Sequence, residues 1–271
     1  MRINGVDYAV QMTGHGEPLV LLHGFTGSSK SWGPHVPLFS VSYTVVTIDL
    51  LGHGRTTSPA DPARYEITRA AADLHALLRA CGVDAPHLLG YSMGGRLALC
   101  YALQHPVRSL LLESASPGLV SEQERAARRE SDERLAARIE QDGIPAFVDT
   151  WEKLPLFVTQ AALPEDVRAR QRQQRQANNP TGLANSLRGM GTGAQPSFWG
   201  RLSLLDAPAL LLVGALDEKF TAIAQTMAGK MRSARLAVIS GAGHAPHLEQ
   251  PTSFRDEVLR FVRDIGRRRL P

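Results

Sequence analysis

Gly90-Tyr91-Ser92-Met93-Gly94 follows the apolar run His87-Leu88-Leu89 and leads into Arg96-Leu97-Ala98-Leu99-Cys100. This is G-x-S-x-G between a short strand and a helix. In that setting a serine sits on a strained turn with its Oγ exposed above a sheet, and the flanking glycines let strand and helix approach. A serine hydroxyl is inert at neutral pH until a base accepts its proton. His244, in the loop Gly241-Ala242-Gly243-His244 after the strand-like run 235–239, can be that base. Asp217 lies in Gly214-Ala215-Leu216-Asp217, beyond the run 209–213. A carboxylate there can fix the imidazole tautomer and stabilise its cation. Taken singly these are an ordinary turn serine, loop aspartate and loop histidine. Glu113, ending the run 109–112, is a rival acid ranked behind Asp217.

Serine, acid and histidine, in that order and each just past its own strand, follow the α/β-hydrolase plan. In that plan the residue after the serine and the loop after an earlier strand each donate a backbone N–H to an oxyanion hole. His23-Gly24-Phe25-Thr26-Gly27 follows the run 18–22, so the donors by position are Phe25 and Met93. His23 reads as a structural residue holding that loop. So does His53, in Asp49-Leu50-Leu51-Gly52-His53-Gly54, and His105, before Pro106. His15, His35, His75 and His87 carry no specific signal; His247 and Glu249, close to His244, take no assignment.

The elements that must position these groups alternate along the chain. A hairpin is expected around Ile3 and 6–10, turning at Asn4-Gly5. Strands follow at 18–22, 44–48, 87–89, 109–112, 209–213 and 235–239. Helices are expected at 31–39, at 67–81 (stopping at Gly82), from the elbow to about Gln104, and at 254–265, before the basic run Arg267-Arg268-Arg269. Such alternation predicts an α/β fold: a mainly parallel central sheet with helices on both faces. Residues 117–196 break the pattern with helical runs at 122–141, 145–153 and 165–176 and no strand. They read as a helical cap over the strands' C-terminal ends, where open α/β sheets bind ligands. The core is then 1–116 with 197–271, and the cap 117–196.

Composition excludes several classes. With 43% hydrophobic and 21% charged residues, the 271-residue chain is ordinary globular material. It opens without a signal-peptide pattern, and no apolar run approaches the roughly 18 residues that span a bilayer. No membrane partner is expected. Cys81 and Cys100 have no partner motif, so they read as small buried hydrophobes, with no metal site, in a cytoplasmic protein. Twenty-six of the thirty basic residues are arginines, many of them in the middle segment. No nucleic-acid motif accompanies the charge. The sequence leaves the oligomeric state open, a homo-oligomer included.

Further stretches are more specific than the elbow. They are Leu22-His23-Gly24-Phe25-Thr26-Gly27, Gly90 to Ala98, Glu124-Arg125-Ala126-Ala127-Arg128 and Trp151-Glu152-Lys153-Leu154-Pro155-Leu156-Phe157. Ser186-Leu187-Arg188-Gly189-Met190-Gly191-Thr192-Gly193, Asp217-Glu218-Lys219-Phe220 and Gly243-His244-Ala245-Pro246-His247-Leu248-Glu249 complete the set. Over about Leu21 to Pro251 the chain resembles the 2-succinyl-6-hydroxy-2,4-cyclohexadiene-1-carboxylate synthases, α/β-hydrolase-fold lyases of menaquinone or phylloquinone biosynthesis. Ala215 departs from the family's frequent Glu. The resemblance implies elimination of pyruvate from a small polycarboxylate, 2-succinyl-5-enolpyruvyl-6-hydroxy-3-cyclohexene-1-carboxylate, with no cofactor. It implies that Arg96, Arg128 and Arg175 bind carboxylates while Tyr91 and Trp151 line the pocket. Ser92, activated by His244, would take a proton beside the succinyl ketone, and the enolate would rest on the Phe25 and Met93 N–H groups. An ester or C–C bond hydrolase with the same triad, and a non-catalytic sensor, are the alternatives.

Overall fold

The computed structural model describes residues 1–267, so positions 268 and 269 of the basic run lie outside the described residues. The elements begin with β1 (Arg2–Ile3), β2 (Val6–Asp7), β3 (Val10–Thr13), β4 (Glu17–Leu22), α1 (Val36–Phe39) and β5 (Tyr43–Ile48). Next come α2 (Ile67–Ala80), β6 (His87–Tyr91), α3 (Met93–Ala102), β7 (Ser109–Glu113), α4 (Glu122–Trp151), α5 (Glu165–Gln176) and α6 (Pro180–Met190). The chain closes with β8 (Ala209–Gly214), α7 (Glu218–Ala228), β9 (Ala234–Ile239), α8 (Pro246–Glu249) and α9 (Pro251–Arg267).

Seven strands form one sheet in the order β3-β5-β4-β6-β7-β8-β9, parallel throughout except for β3 against β5. Successive strand residues face opposite sides of a sheet. Along β4, Val20 and Leu22 accordingly join the core under α2, α3 and α7, while Leu19 and Leu21 join the core under α1 and α9. Burying each such side chain stabilises the fold by about 1.5–3 kcal/mol. The central strands are therefore fixed from both faces, and the loops at their C-terminal ends have a rigid base.

Three local expectations need correcting. The single strand read at 6–10 is two short ones. After Asp7, the Tyr8 N–H donates to Met1 O and its buried hydroxyl to Asp73, and Val10 starts the edge strand β3. The helix read at 31–39 is a 3-10 turn at Ser29–Trp32 and the short α1, separated around Gly33 and Pro34. Finally, Cys81 is only half-buried, whereas Cys100 is buried; both are free thiols.

Between β7 and β8 the chain is helical. A capping box starts α4: Ser121 Oγ accepts the Glu124 N–H, and the Glu124 carboxylate accepts the Ser121 N–H. Gly143, at φ 79°, breaks α4 ahead of Pro145, between the helices read at 122–141 and 145–153. The sequence reading missed α6. Its glycines lower helix propensity, but Gly182 and Gly189 sit where a Cβ would run into Gly52 and Tyr65. Close packing against the core requires them. A third apolar cluster joins α6 to α4 through Leu183, Ala184, Leu187, Ile139, Phe147 and Val148. Arg188 adds ion pairs from α6 to Glu133 and Glu140 on α4.

Candidate active site

Ser92 occupies the turn from β6 to α3 at φ 49°, ψ −107°. A non-glycine residue in such a conformation costs of order 1–3 kcal/mol and persists only where its surroundings impose it. Here they do: the Ser92 N–H donates to Glu113 O at 2.8 Å, and its carbonyl accepts the Arg96 N–H at 3.0 Å. A Cβ at Gly90 would overlap the Gly94 carbonyl, and one at Gly94 the carbonyls of Leu22 and His23. Both positions need glycine for strand and helix to come this close.

The loops after β8 and β9 bring two more groups to this turn. His244 Nε2 lies 3.1 Å from Ser92 Oγ, and His244 Nδ1 lies 2.7 Å from Asp217 Oδ2. Asp217 Oδ1 also accepts the Phe220 N–H at the start of α7, which fixes its carboxylate plane. His244 and Asp217 are buried, with the rings of Phe220, Tyr91 and Phe157 around the imidazole. Serine, imidazole and carboxylate are thus connected in a water-poor setting, an arrangement able to move the serine proton onto the ring. Glu113 serves a different histidine, accepting both the His247 N–H (2.9 Å) and the His247 Nδ1–H (2.8 Å).

Phe25 and Met93 line the cleft, and no turn or loop hydrogen bond from either backbone N–H is formed among the described residues. Behind Phe25, His23 Nε2 accepts the Leu50 N–H at 2.9 Å, which leaves Nδ1–H to donate to Gly24 O. The ring ties two loops together. Burial pushes the His23 and His53 imidazoles down, His53 to about 3, so both stay neutral near pH 7.

A cleft of about 460 Å³ opens over Ser92. Phe25, Tyr91, Ser92, Met93, Arg96, Arg128, Trp151, Arg175 and His244 line it, with Asp217 behind the imidazole. Arg96, one turn into α3, donates through Nη1 to Met190 O (2.5 Å) and Gln195 Oε1 (2.8 Å). Among the described residues no carboxylate lies within ion-pair distance of it. Burial, reinforced by neighbouring Arg128, pushes its guanidinium down to about 10, still cationic at neutral pH. Arg128 Nε donates to Asp132 Oδ1 at 2.7 Å. Burial raises the Asp132 carboxyl in spite of that arginine. Arg175 donates to Glu152 (3.0 Å) and Gln160 (3.1 Å), with its guanidinium 5.5 Å from the centre of the Phe157 ring. Tyr91 lies between the His244 and His247 rings, and Trp151 packs edge-on against Phe25.

Four groups that hold these arginines escaped the sequence reading: Asp132, Glu152, Gln160 and Gln195. Asp132 had a local signal, four residues after Arg128 on one helix face. The others approach from separate elements and had none. Among the other arginines of the middle segment, Arg134 and Arg170 pair on their own helices at Glu130 and Asp166. Arg125 and Arg129 also reach backbone carbonyls, Leu119 and Val120 for the first and Gly193 for the second.

The chain is similar to known proteins over nearly its whole length. The α/β hydrolase fold family matches residues 17–251. A Bacillus subtilis (strain 168) protein, provisionally named 2-succinyl-6-hydroxy-2,4-cyclohexadiene-1-carboxylate synthase, is 45% identical over 97% of this chain and 97% of its own length. The Pectobacterium atrosepticum protein of that name is 34% identical over 90% of this chain and 93% of its own. The chain belongs to this synthase family within the α/β hydrolases. The solved structure of MenH from S. aureus superposes with a TM-score of 0.92 at 37% identity, covering 96% of this chain and 98% of that one. The synthase family thus accounts for the helical segment between β7 and β8 as well as the sheet. Its fold is shared with hydrolases: a thermophilic esterase from Thermogutta terrifontis superposes at 0.84 with 26% identity, covering 96% of this chain and 94% of that one.

Proposed function

We propose that this chain eliminates pyruvate from 2-succinyl-5-enolpyruvyl-6-hydroxy-3-cyclohexene-1-carboxylate, giving 2-succinyl-6-hydroxy-2,4-cyclohexadiene-1-carboxylate. One observation carries the reading. The cleft that holds Ser92 and His244 also receives three guanidinium groups, and one of them, Arg96, makes no ion pair with a carboxylate among the described residues. An unpaired cation in a cleft favours an anionic ligand, and a guanidinium binds a carboxylate through two parallel charge-assisted hydrogen bonds. Arg96, Arg128 and Arg175 are assigned to the substrate carboxylates, Tyr91 and Trp151 to the pocket wall, and residues 117–196 to a substrate-selecting cap.

In the reaction, His244 takes the Ser92 proton, and the serine oxygen takes the proton on the ring carbon beside the succinyl ketone. The enolate oxygen is held by the Phe25 and Met93 N–H groups, where fixed dipoles stabilise developing charge. Its electrons return through the ring double bond and break the bond to the enolpyruvyl oxygen. The pyruvate enolate that leaves takes up the proton carried by His244. No acyl-enzyme forms, because the ketone itself is the electron sink. The free thiols Cys81 and Cys100 support a reducing, cytoplasmic setting.

Substrate deuterated at the ring carbon beside the ketone should react severalfold more slowly in a single turnover, where product release cannot mask chemistry. Equal single-turnover rates for the two isotopic forms would overturn proton abstraction from that carbon as the serine's task.

A further inference from the structure

His244 stands on the loop between β9 and α8, a segment with glycine at 241 (φ 73°) and at 243. A Cβ at Gly243 would meet the Thr159 side chain of the helical segment, which would have to turn away. Such a backbone needs an external restraint if the imidazole is to remain aligned with both Asp217 and Ser92.

One such restraint, on the two peptide units flanking His244, is a single carboxylate. The residues on either side of His244 send their N–H groups to opposite oxygens of Glu249: Gly243 to Oε2 at 2.7 Å and Ala245 to Oε1 at 3.0 Å. Glu249 is brought back to the loop by α8, one turn long, in which the Glu249 N–H donates to Ala245 O at 2.9 Å. A carboxylate is acceptor-only at both oxygens, which suits two converging N–H donors. Hydrogen bonds from N–H groups to an ionised acceptor are about twice as strong as neutral ones.

We propose that Glu249 is a positioning residue, whose carboxylate clamps the two peptide units flanking His244 and so keeps the imidazole in line between Asp217 and Ser92. The proposal rests on the reading of His244 as the base that activates Ser92. Glutamine is the discriminating substitution, since it has the shape of glutamate but turns an N–H donor toward one of the two N–H groups.

The test compares Glu249→Gln and Glu249→Ala with the natural protein in pyruvate release, thermal unfolding and proton NMR of the His244 Nδ1–H. Small displacements of a catalytic group cost up to about 10²-fold. Both variants should therefore lose roughly 10- to 10²-fold in kcat with KM little changed. The downfield Nδ1 proton signal should broaden while the circular dichroism spectrum stays native. If kcat is unchanged and that signal stays sharp in folded Glu249→Gln, the proposal is wrong. It is equally wrong if activity falls only in step with the folded fraction. Should Glu249→Ala fail to fold, the isosteric Glu249→Gln still decides. Because the NMR signal reports imidazole placement without turnover, it separates failure of the clamp from failure of the base assignment.

Discussion

Replacing Ser92 with alanine should lower turnover at least about 10³-fold, as removal of one member of an interdependent triad does. The expectation follows from the 3.1 Å contact between Ser92 Oγ and His244 Nε2 and the 2.7 Å contact behind it to Asp217. Without the hydroxyl, no group assigned to the reaction is placed to take the carbon-bound proton. Alanine meets the same backbone strain as serine at φ 49°, and the bonds that impose the turn come from the main chain. The fold should therefore survive. Pyruvate release, read beside a circular dichroism spectrum, checks both parts. A folded variant working at near-normal rate would remove Ser92 from the mechanism and favour the sensor alternative.

Arg96→Ala should lower kcat/KM by about 10²-fold, corresponding to roughly 3 kcal/mol at 1.4 kcal/mol per decade. Hydrogen bonds to charged groups contribute about 1.5–3 kcal/mol each, so loss of one forked contact accounts for that amount. Arg96→Lys separates fork from charge. Lysine keeps the cation but cannot present two parallel donors, so it should restore only part of the rate. The substitution also strips Met190 O and Gln195 Oε1 of a donor, so thermal unfolding must be followed alongside the kinetics. Full activity in Arg96→Lys or Arg96→Ala would return Arg96 to a structural role.

What could be read from the chain alone was whatever is dictated locally. The elbow is legible because positions 90 and 94 tolerate no Cβ and position 92 must turn sharply. Strands buried on both faces, such as Ala209–Gly214, show as unbroken apolar runs. Helix α6 was missed because the feature that obscured it, glycine at 182 and 189, answers to Gly52 and Tyr65 more than a hundred residues away. The choice between Asp217 and Glu113 likewise lies in tertiary placement. Both follow parallel strands, and only the packing of the last loop sends one carboxylate to His244 and the other to His247. Gln195, Glu152 and Gln160 could not be read because an arginine's partner across a cleft leaves no period in its own segment.

The most direct measurement follows pyruvate and the conjugated cyclohexadiene together after mixing the purified protein with the authentic enolpyruvyl substrate. Elimination predicts that the two appear at equal rates, mole for mole. Ester turnover without pyruvate, or pyruvate released with no diene formed, would contradict the account.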